Sequence, residues 1–220
     1  MKYSLRRKYV KFINSSEYSR LILKTFKDTY QEKESTYIIN GCINNIWQLW
    51  NSFWREYWLV YYYGGDTIKS KVSKNQLRIL DYQNNCIEGK AIAVITHNPK
   101  DVNYYQEPTW GSTKYLTKIS SDYSTVSSRC VDLLSALSYY SDSIDDIQAI
   151  RNNSIHLSKG GLLSIRDETL LHGYNINRND IKYPTDLLFC TKGRSQRFAF
   201  DDILDDLLDV INHVFIANGQ

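Results

Sequence analysis

Residues 35–63 read STYIINGCINNIWQLWNSFWREYWLVYYY, and this run decides the fold class. Ile39, Ile43, Ile46, Trp47, Trp50, Phe53, Trp54, Tyr57, Trp58 and Tyr61 follow one another at three- and four-residue steps. That period lines one wide apolar face of a long α-helix. Gly64-Gly65 then stops the helix, as glycine does at helix C-termini. The tryptophan stripe is read as core or dimer packing, with base stacking as the other use of such rings.

Working outward, the chain N-terminal to this run predicts a helix over about Tyr9 to Glu32, with Val10, Ile13, Leu21, Leu23 and Phe26 only loosely periodic. Helical pattern resumes near Ser124 with Cys130, Leu133, Leu134 and Leu137, and Ile144, Ile147 and Ile150 lead directly into Arg151. Ser143-Ile144-Asp145-Asp146 reads as a fresh helix start, with Ser143 capping and Asp146 at the third helical position. A last helix is expected from about Phe198, apolar at Ile203, Leu204, Leu207, Leu208 and Ile211. Its other side carries Asp201, Asp202, Asp205, Asp206 and Asp209, read as a solvated face whose first turns complement the helix dipole.

Residues 66–115 lack helical period and carry turn signals at Asn84-Asn85, Asn98-Pro99, Glu107-Pro108 and Trp110-Gly111. The short apolar runs Leu77 to Leu80 and Ala91 to Thr96 suit brief strands or helical turns. The expectation is therefore a mainly α fold over residues 1–220: a single helical bundle with an irregular, in part β, insertion at about 66–115. After Gly160-Gly161 an irregular stretch follows, with a turn at Tyr183-Pro184.

Composition narrows the class further. At 220 residues the chain suffices for one well-buried core, and 42% hydrophobic against 23% charged residues excludes a disordered or fibrous chain. Its 18 Tyr and 5 Trp suit helix interfaces, dimer surfaces and base-stacking platforms alike. A net charge of +3 is too mild to announce a nucleic-acid binder, so local distribution matters more. Lys2, Arg6, Arg7, Lys8 and Lys11 form one basic cluster, Lys69, Lys71 and Lys74 a second, and Lys192, Arg194 and Arg197 a third; each suits phosphate or a solvated surface. Cysteines 42, 86, 130 and 190 show no C-x-x-C spacing and no secretion signal precedes them, so neither disulfides nor a thiolate zinc site is indicated. The longest apolar stretch, Trp58 to Tyr63, is far short of the roughly 20 residues that cross a bilayer, and a cytoplasmic location is the default expectation.

Chemistry is concentrated at Arg151-Asn152-Asn153-Ser154-Ile155-His156, at the end of a helical run in an all-helical chain. This segment resembles the R-N-x-x-x-H motif of the HEPN superfamily, with the preceding isoleucine-spaced helix, Gly160-Gly161 and the amphipathic final helix adding to the likeness. The resemblance covers 35–63, 124–156 and 199–217. It implies a compact helical bundle that dimerises, cleaves RNA without a metal or other cofactor, and serves toxin–antitoxin pairs, abortive infection or other antiviral defence. The expected partners are thus RNA, a second copy of the chain, and an antitoxin or defence-system protein, with no membrane. In this reading Arg151 and His156 are catalytic, and Asn152 orients His156 or the phosphate. Ser158 stands where a HEPN subgroup carries a Tyr that a partner nucleotidyltransferase modifies, so that control is not implied here.

Metal-free RNA cleavage needs a base for the ribose 2′-hydroxyl and a cation for the charge that develops on phosphorus. An imidazole with an ordinary pKa of about 6.5 suits the first task. A guanidinium stays charged and grips two phosphate oxygens, which suits the second. On an ideal helix a five-residue step turns about 140° and rises about 7.5 Å, so Arg151 and His156 converge only if the helix ends or bends near Asn153-Ser154, or if a two-fold dimer joins two copies. The plain alternative makes Arg151 a surface or ion-paired residue and His156 a helix-end cation. A HEPN-fold interaction module without activity, and an unrelated helical binding protein, are the other two readings.

Three further features compete. Arg166-Asp167-Glu168-Thr169-Leu170-Leu171-His172 repeats the Arg and His pattern, but Asp167 and Glu168 would repel phosphate. Asp201, Asp205 and Asp209 could be imagined around magnesium, yet their four-residue rhythm reads as a solvated face. Tyr104, Tyr105 and Trp110 are the candidates for stacking on unpaired bases.

Overall fold

The computed structural model describes residues 4–63, 65–66, 71–72, 88–98, 107–125, 127–156, 159–167, 173–192 and 196–215. Its described residues form helices α1 (Leu5–Thr25), α2 (Lys33–Tyr63), α3 (Glu88–Ile95), α4 (Thr113–Tyr123), α5 (Ser128–Ile155), α6 (Lys159–Asp167) and α7 (Ala199–Phe215). Two short antiparallel pairs join them: β1 (Gly65–Asp66) with β2 (Lys71–Val72), and β3 (Tyr174–Asn175) with β4 (Thr191–Lys192). Two 3-10 turns lie between β3 and β4, at Arg178–Asp180 and Pro184–Phe189. The fold is mainly α. Among the described residues no helix is long and apolar enough to cross a membrane.

The chain divides into two compact units. The first comprises Met1–Phe12, Leu49–Tyr139 and Val210–Gln220. Its core is the second half of α2, where Trp50, Phe53, Trp54, Tyr57 and Trp58 are fully buried. Their rings meet edge to face, Trp50 to Trp54 at 5.3 Å and Trp54 to Tyr57 at 5.3 Å, and Phe215 of α7 joins Tyr57 at 5.6 Å. Base stacking by the tryptophan stripe is thereby ruled out, since rings sealed in a core cannot meet a base. Arg129 of α5 covers the Phe215 ring and donates to the Val214 carbonyl at 3.2 Å, which satisfies an orphan acceptor at the end of α7.

Trp110 is also core, 3% exposed, with its indole N–H on Glu107 at 2.9 Å. Glu107 in turn accepts two bonds from Arg55, at 2.6 and 2.8 Å, so this ring is fixed and unavailable to a base. Tyr104 and Tyr105, the other stacking candidates, lie outside the described residues, as do Leu77 to Leu80. Ala91 to Thr96 resolves as the end of α3 and its following turn. α4 was not expected from the turn-rich sequence, although Leu116, Ile119, Ser120 and Tyr123 bury at helical spacing and Ser112 caps it through the Tyr115 N–H at 3.4 Å.

Gly111 shows how tightly this unit is packed. The Trp50 indole N–H donates to the Gly111 carbonyl at 2.8 Å, and a Cβ at 111 would stand 2.3 Å from Trp50 Cδ1. Trp50 is fully buried and has nowhere to move. Gly111→Ala is therefore expected to lower the unfolding free energy by about 1–3 kcal/mol, the usual range for overpacking, read as a fall in the urea midpoint. A wild-type midpoint would show that residues 107–112 can lift off Trp50 at no cost.

The second unit comprises Ile13–Gln48 and Tyr140–Asp209. Ile39, Ile43 and Ile46 of α2, Ile144, Ile147 and Ile150 of α5, and Ile203, Leu204 and Leu207 of α7 are all buried in it. Phe189, from the second 3-10 turn, stacks on Tyr30 at 4.5 Å. Asp186 is 2% exposed and caps that turn by accepting the Lys182 and Tyr183 N–H groups at 2.8 and 3.1 Å; burial nevertheless pushes its carboxyl above the ordinary value.

Three expectations are corrected, wholly or in part, in this unit. The acidic side of α7 is a solvated face only in part: Asp209 is exposed, but Asp201 is 7% exposed and binds Arg20 at 2.6 Å, Asp205 binds Arg20 at 2.6 Å as well, and Arg197 pairs with Asp202 and Asp205. No fresh helix begins at Ser143, because α5 runs unbroken from Ser128 to Ile155. The Ser143 hydroxyl donates to the Asp206 carboxylate instead of capping. The stretch after Gly160-Gly161, expected to be irregular, begins as α6, with both glycines in its first turn.

Candidate functional site

The C-terminal end of α5 carries the Arg151 to His156 segment, wholly within the second unit. One side of this helical end is anchored by Ile147, Ile150 and Ser154, all buried. Ser154 and Asn153 turn their side chains back on the helix, Ser154 Oγ donating to the Ile150 carbonyl at 2.6 Å and Asn153 Nδ2 to the Ala149 carbonyl at 2.9 Å. Neither is then directed at a ligand. Arg151 and Asn152 are half-buried, whereas Ile155 and His156 are exposed.

The Arg151 guanidinium is held by amides. Its Nε and Nη2 donate to Asn44 Oδ1 at 3.2 and 3.1 Å, and its Nη1 donates to Asn152 Oδ1 at 3.0 Å. Asn44 comes from α2, 107 residues away in sequence. Among the described residues no carboxylate pairs with Arg151, and burial lowers its proton affinity below the ordinary value. A guanidinium keeps its charge at any physiological pH, so the result is a half-buried cation that no carboxylate among the described residues compensates.

Other arginines of this unit contrast with it. Burial acts against the Arg20 guanidinium, but Asp205 and Asp201 outweigh it and raise the group above its usual value. Asp205 does the same for Arg197. Arg197 is thus committed to carboxylates, which weakens the third basic cluster as a phosphate contact. In the first cluster, Lys8 Nζ donates to Ser52 at 2.7 Å. Lys2, Lys69, Lys74 and Arg194 lie outside the described residues.

The motif's three predicted members are brought together only in part. Arg151 and Asn152 are directly bonded, and the Asn152 side chain therefore orients the arginine, not the histidine. His156 is tied to Asn152 through the backbone alone, its N–H donating to the Asn152 carbonyl at 3.1 Å. Its imidazole makes no hydrogen bond or ion pair among the described residues. α5 continues through Asn153 and Ser154, so the break that could bring the two side chains round falls only at His156.

Asn44 is the residue that sequence reading missed. The available signal was a polar pair, Asn44-Asn45, set into the apolar stripe of α2. His172, of the rival pattern, lies outside the described residues, as does the Arg166 side chain. No family model, no curated protein and no solved structure matches the chain.

Proposed function

We propose that this chain is a metal-independent endoribonuclease of the HEPN type, active as a homodimer and serving as a toxin or antiphage effector under the control of a partner protein. The observation that carries the reading is the half-buried Arg151 guanidinium, pinned by the Asn44 and Asn152 amides and paired with no carboxylate among the described residues. Keeping a cation desolvated without an anion lowers stability, and a phosphate would relieve that cost. His156 is exposed with its ring unengaged among the described residues, which supports a role in exchanging protons with a substrate.

In the reaction, His156 takes the proton of a ribose 2′-hydroxyl, and the oxygen attacks the adjacent phosphorus. Arg151 holds the charge that builds on the non-bridging oxygens. The bond to the 5′ oxygen breaks, that oxygen leaves as a hydroxyl with a proton from the second copy's imidazolium, and the other fragment ends in a cyclic phosphate. Since α5 does not bend at Asn153-Ser154, the two-fold dimer is the arrangement that completes one cleft from two segments. Ile155, within the motif and 44% exposed, and Leu163, seven residues after it and 47% exposed, offer apolar area for that contact.

Incubating the purified full chain with labelled RNA in EDTA tests this. Fragments ending in cyclic phosphate and 5′-hydroxyl are expected, with 2′-O-methylated RNA left intact. Cleavage that needs added magnesium, or that yields 5′-phosphate ends, sinks the proposal.

A further inference from the structure

We infer that Asn44 is a positioning residue whose neutral side chain holds the Arg151 guanidinium ready for an anion without cancelling its charge. This rests on reading Arg151 as the phosphate-holding cation and extends it to a second helix.

A guanidinium has five N–H donors in a rigid plane. Nε and one N–H of Nη2 are spent on the single oxygen Asn44 Oδ1, and one N–H of Nη1 on Asn152 Oδ1. One N–H then remains on each terminal nitrogen, and these are the donors a phosphate oxygen would meet. The side chain is a long one with much rotational freedom to lose. Gripping it from α2 on one edge and from the neighbouring residue on the other removes that freedom before substrate arrives, which is the physical content of preorganisation.

Residue type is the second half of the inference. An aspartate at 44 could offer the same edge a bidentate ion pair, which is the solution this chain uses for Arg55 on Glu107, while Arg20 is neutralised by one oxygen each of Asp201 and Asp205. Those arginines are neutralised and structural. At Arg151 the acceptor is an amide, so geometry is fixed while the positive charge stays whole. A purely structural clamp would gain from the carboxylate. An anion site would be closed by it.

The experiment compares Asn44→Asp and Asn44→Ala with wild type in the full chain, reading three quantities: the melting temperature, affinity for inorganic phosphate followed by NMR titration of the Arg151 Nε–H signal, and RNA cleavage in EDTA. Asn44→Asp is expected to melt at or above the wild-type temperature. Its phosphate affinity should fall by about tenfold or more, as expected when a charge-assisted partner is lost. Asn44→Ala should lose less affinity but melt lower. Cleavage should follow phosphate affinity, not melting temperature, across the three proteins. An Asn44→Asp protein that binds phosphate as wild type does overturns the inference, and so does a wild-type chain that binds no phosphate at Arg151. Should wild type bind phosphate through Asn44 yet leave RNA intact, Asn44 keeps its role and the ribonuclease reading fails. Cleavage indifferent to Asn44→Asp does the reverse.

Discussion

Arg151→Ala is expected to slow RNA cleavage by about 10²–10³-fold, the range for removing one preorganised donor to developing charge. His156→Ala should cost about 10²–10⁴-fold, as loss of a general acid or base does. In the proposed mechanism the two act on one transition state, so the double variant should be little worse than the poorer single one. Arg151→Lys is not a mild change here: an ammonium keeps the charge but cannot present the Nε and Nη2 edge that Asn44 holds. It should fall close to Arg151→Ala.

Stability separates this outcome from a folding defect. His156 is exposed and its ring is unengaged among the described residues, so His156→Ala should stay within about 0.5 kcal/mol of wild type. Arg151→Met removes a desolvated cation that no carboxylate among the described residues offsets, and should melt no lower than wild type while losing activity. Measuring rate and urea midpoint on the same samples distinguishes the readings. A non-catalytic HEPN module would bind its partner equally well with either residue changed, and cleavage surviving both substitutions would remove the segment from the mechanism. Parallel substitution of His172 checks the rival pattern on the same footing.

Long helices were legible because their signal is local. α2 was expected from about Ser35 and begins at Lys33; α7 was expected near Phe198 and begins at Ala199. In both, a wide apolar face repeats at the helical period and needs no knowledge of the partner. What failed to show in the sequence depends on distant partners. Ser143 followed by Asp146 has the local form of a cap, but its hydroxyl finds the Asp206 carboxylate 63 residues on and the helix continues. The aspartates of α7 have a surface rhythm, yet Arg20 reaches Asp201 across 181 residues and draws part of that face into a part-buried ion-pair network. Asn44 is the same case within the site. Nothing near it in the chain announces an arginine 107 residues away, whereas the reading of Arg151, Asn152 and His156 as a candidate site needs only their type and spacing.

The largest effect on stability is expected from Trp54→Ala, which should cost about 3–5 kcal/mol, as deleting a buried aromatic ring does. Trp54 is fully buried and touches Trp50, Phe53 and Tyr57 at ring-centre distances of 5.2–5.3 Å, so the surrounding rings cannot collapse into the space without giving up their own edge-to-face contacts. Comparing phenylalanine substitutions then divides ring packing from hydrogen bonding. The Trp54 indole N–H has no hydrogen-bond acceptor among the described residues, so Trp54→Phe loses contact area and no bond. Trp50 donates to Gly111, and Trp50→Phe therefore also strands a buried carbonyl, at a further cost of about 1–3 kcal/mol. Urea midpoints should fall in the order Trp54→Phe, Trp50→Phe, Trp54→Ala. Equal midpoints for the two phenylalanine variants would mean that the bond to Gly111 contributes nothing and that Trp50 acts in the first unit through ring packing alone.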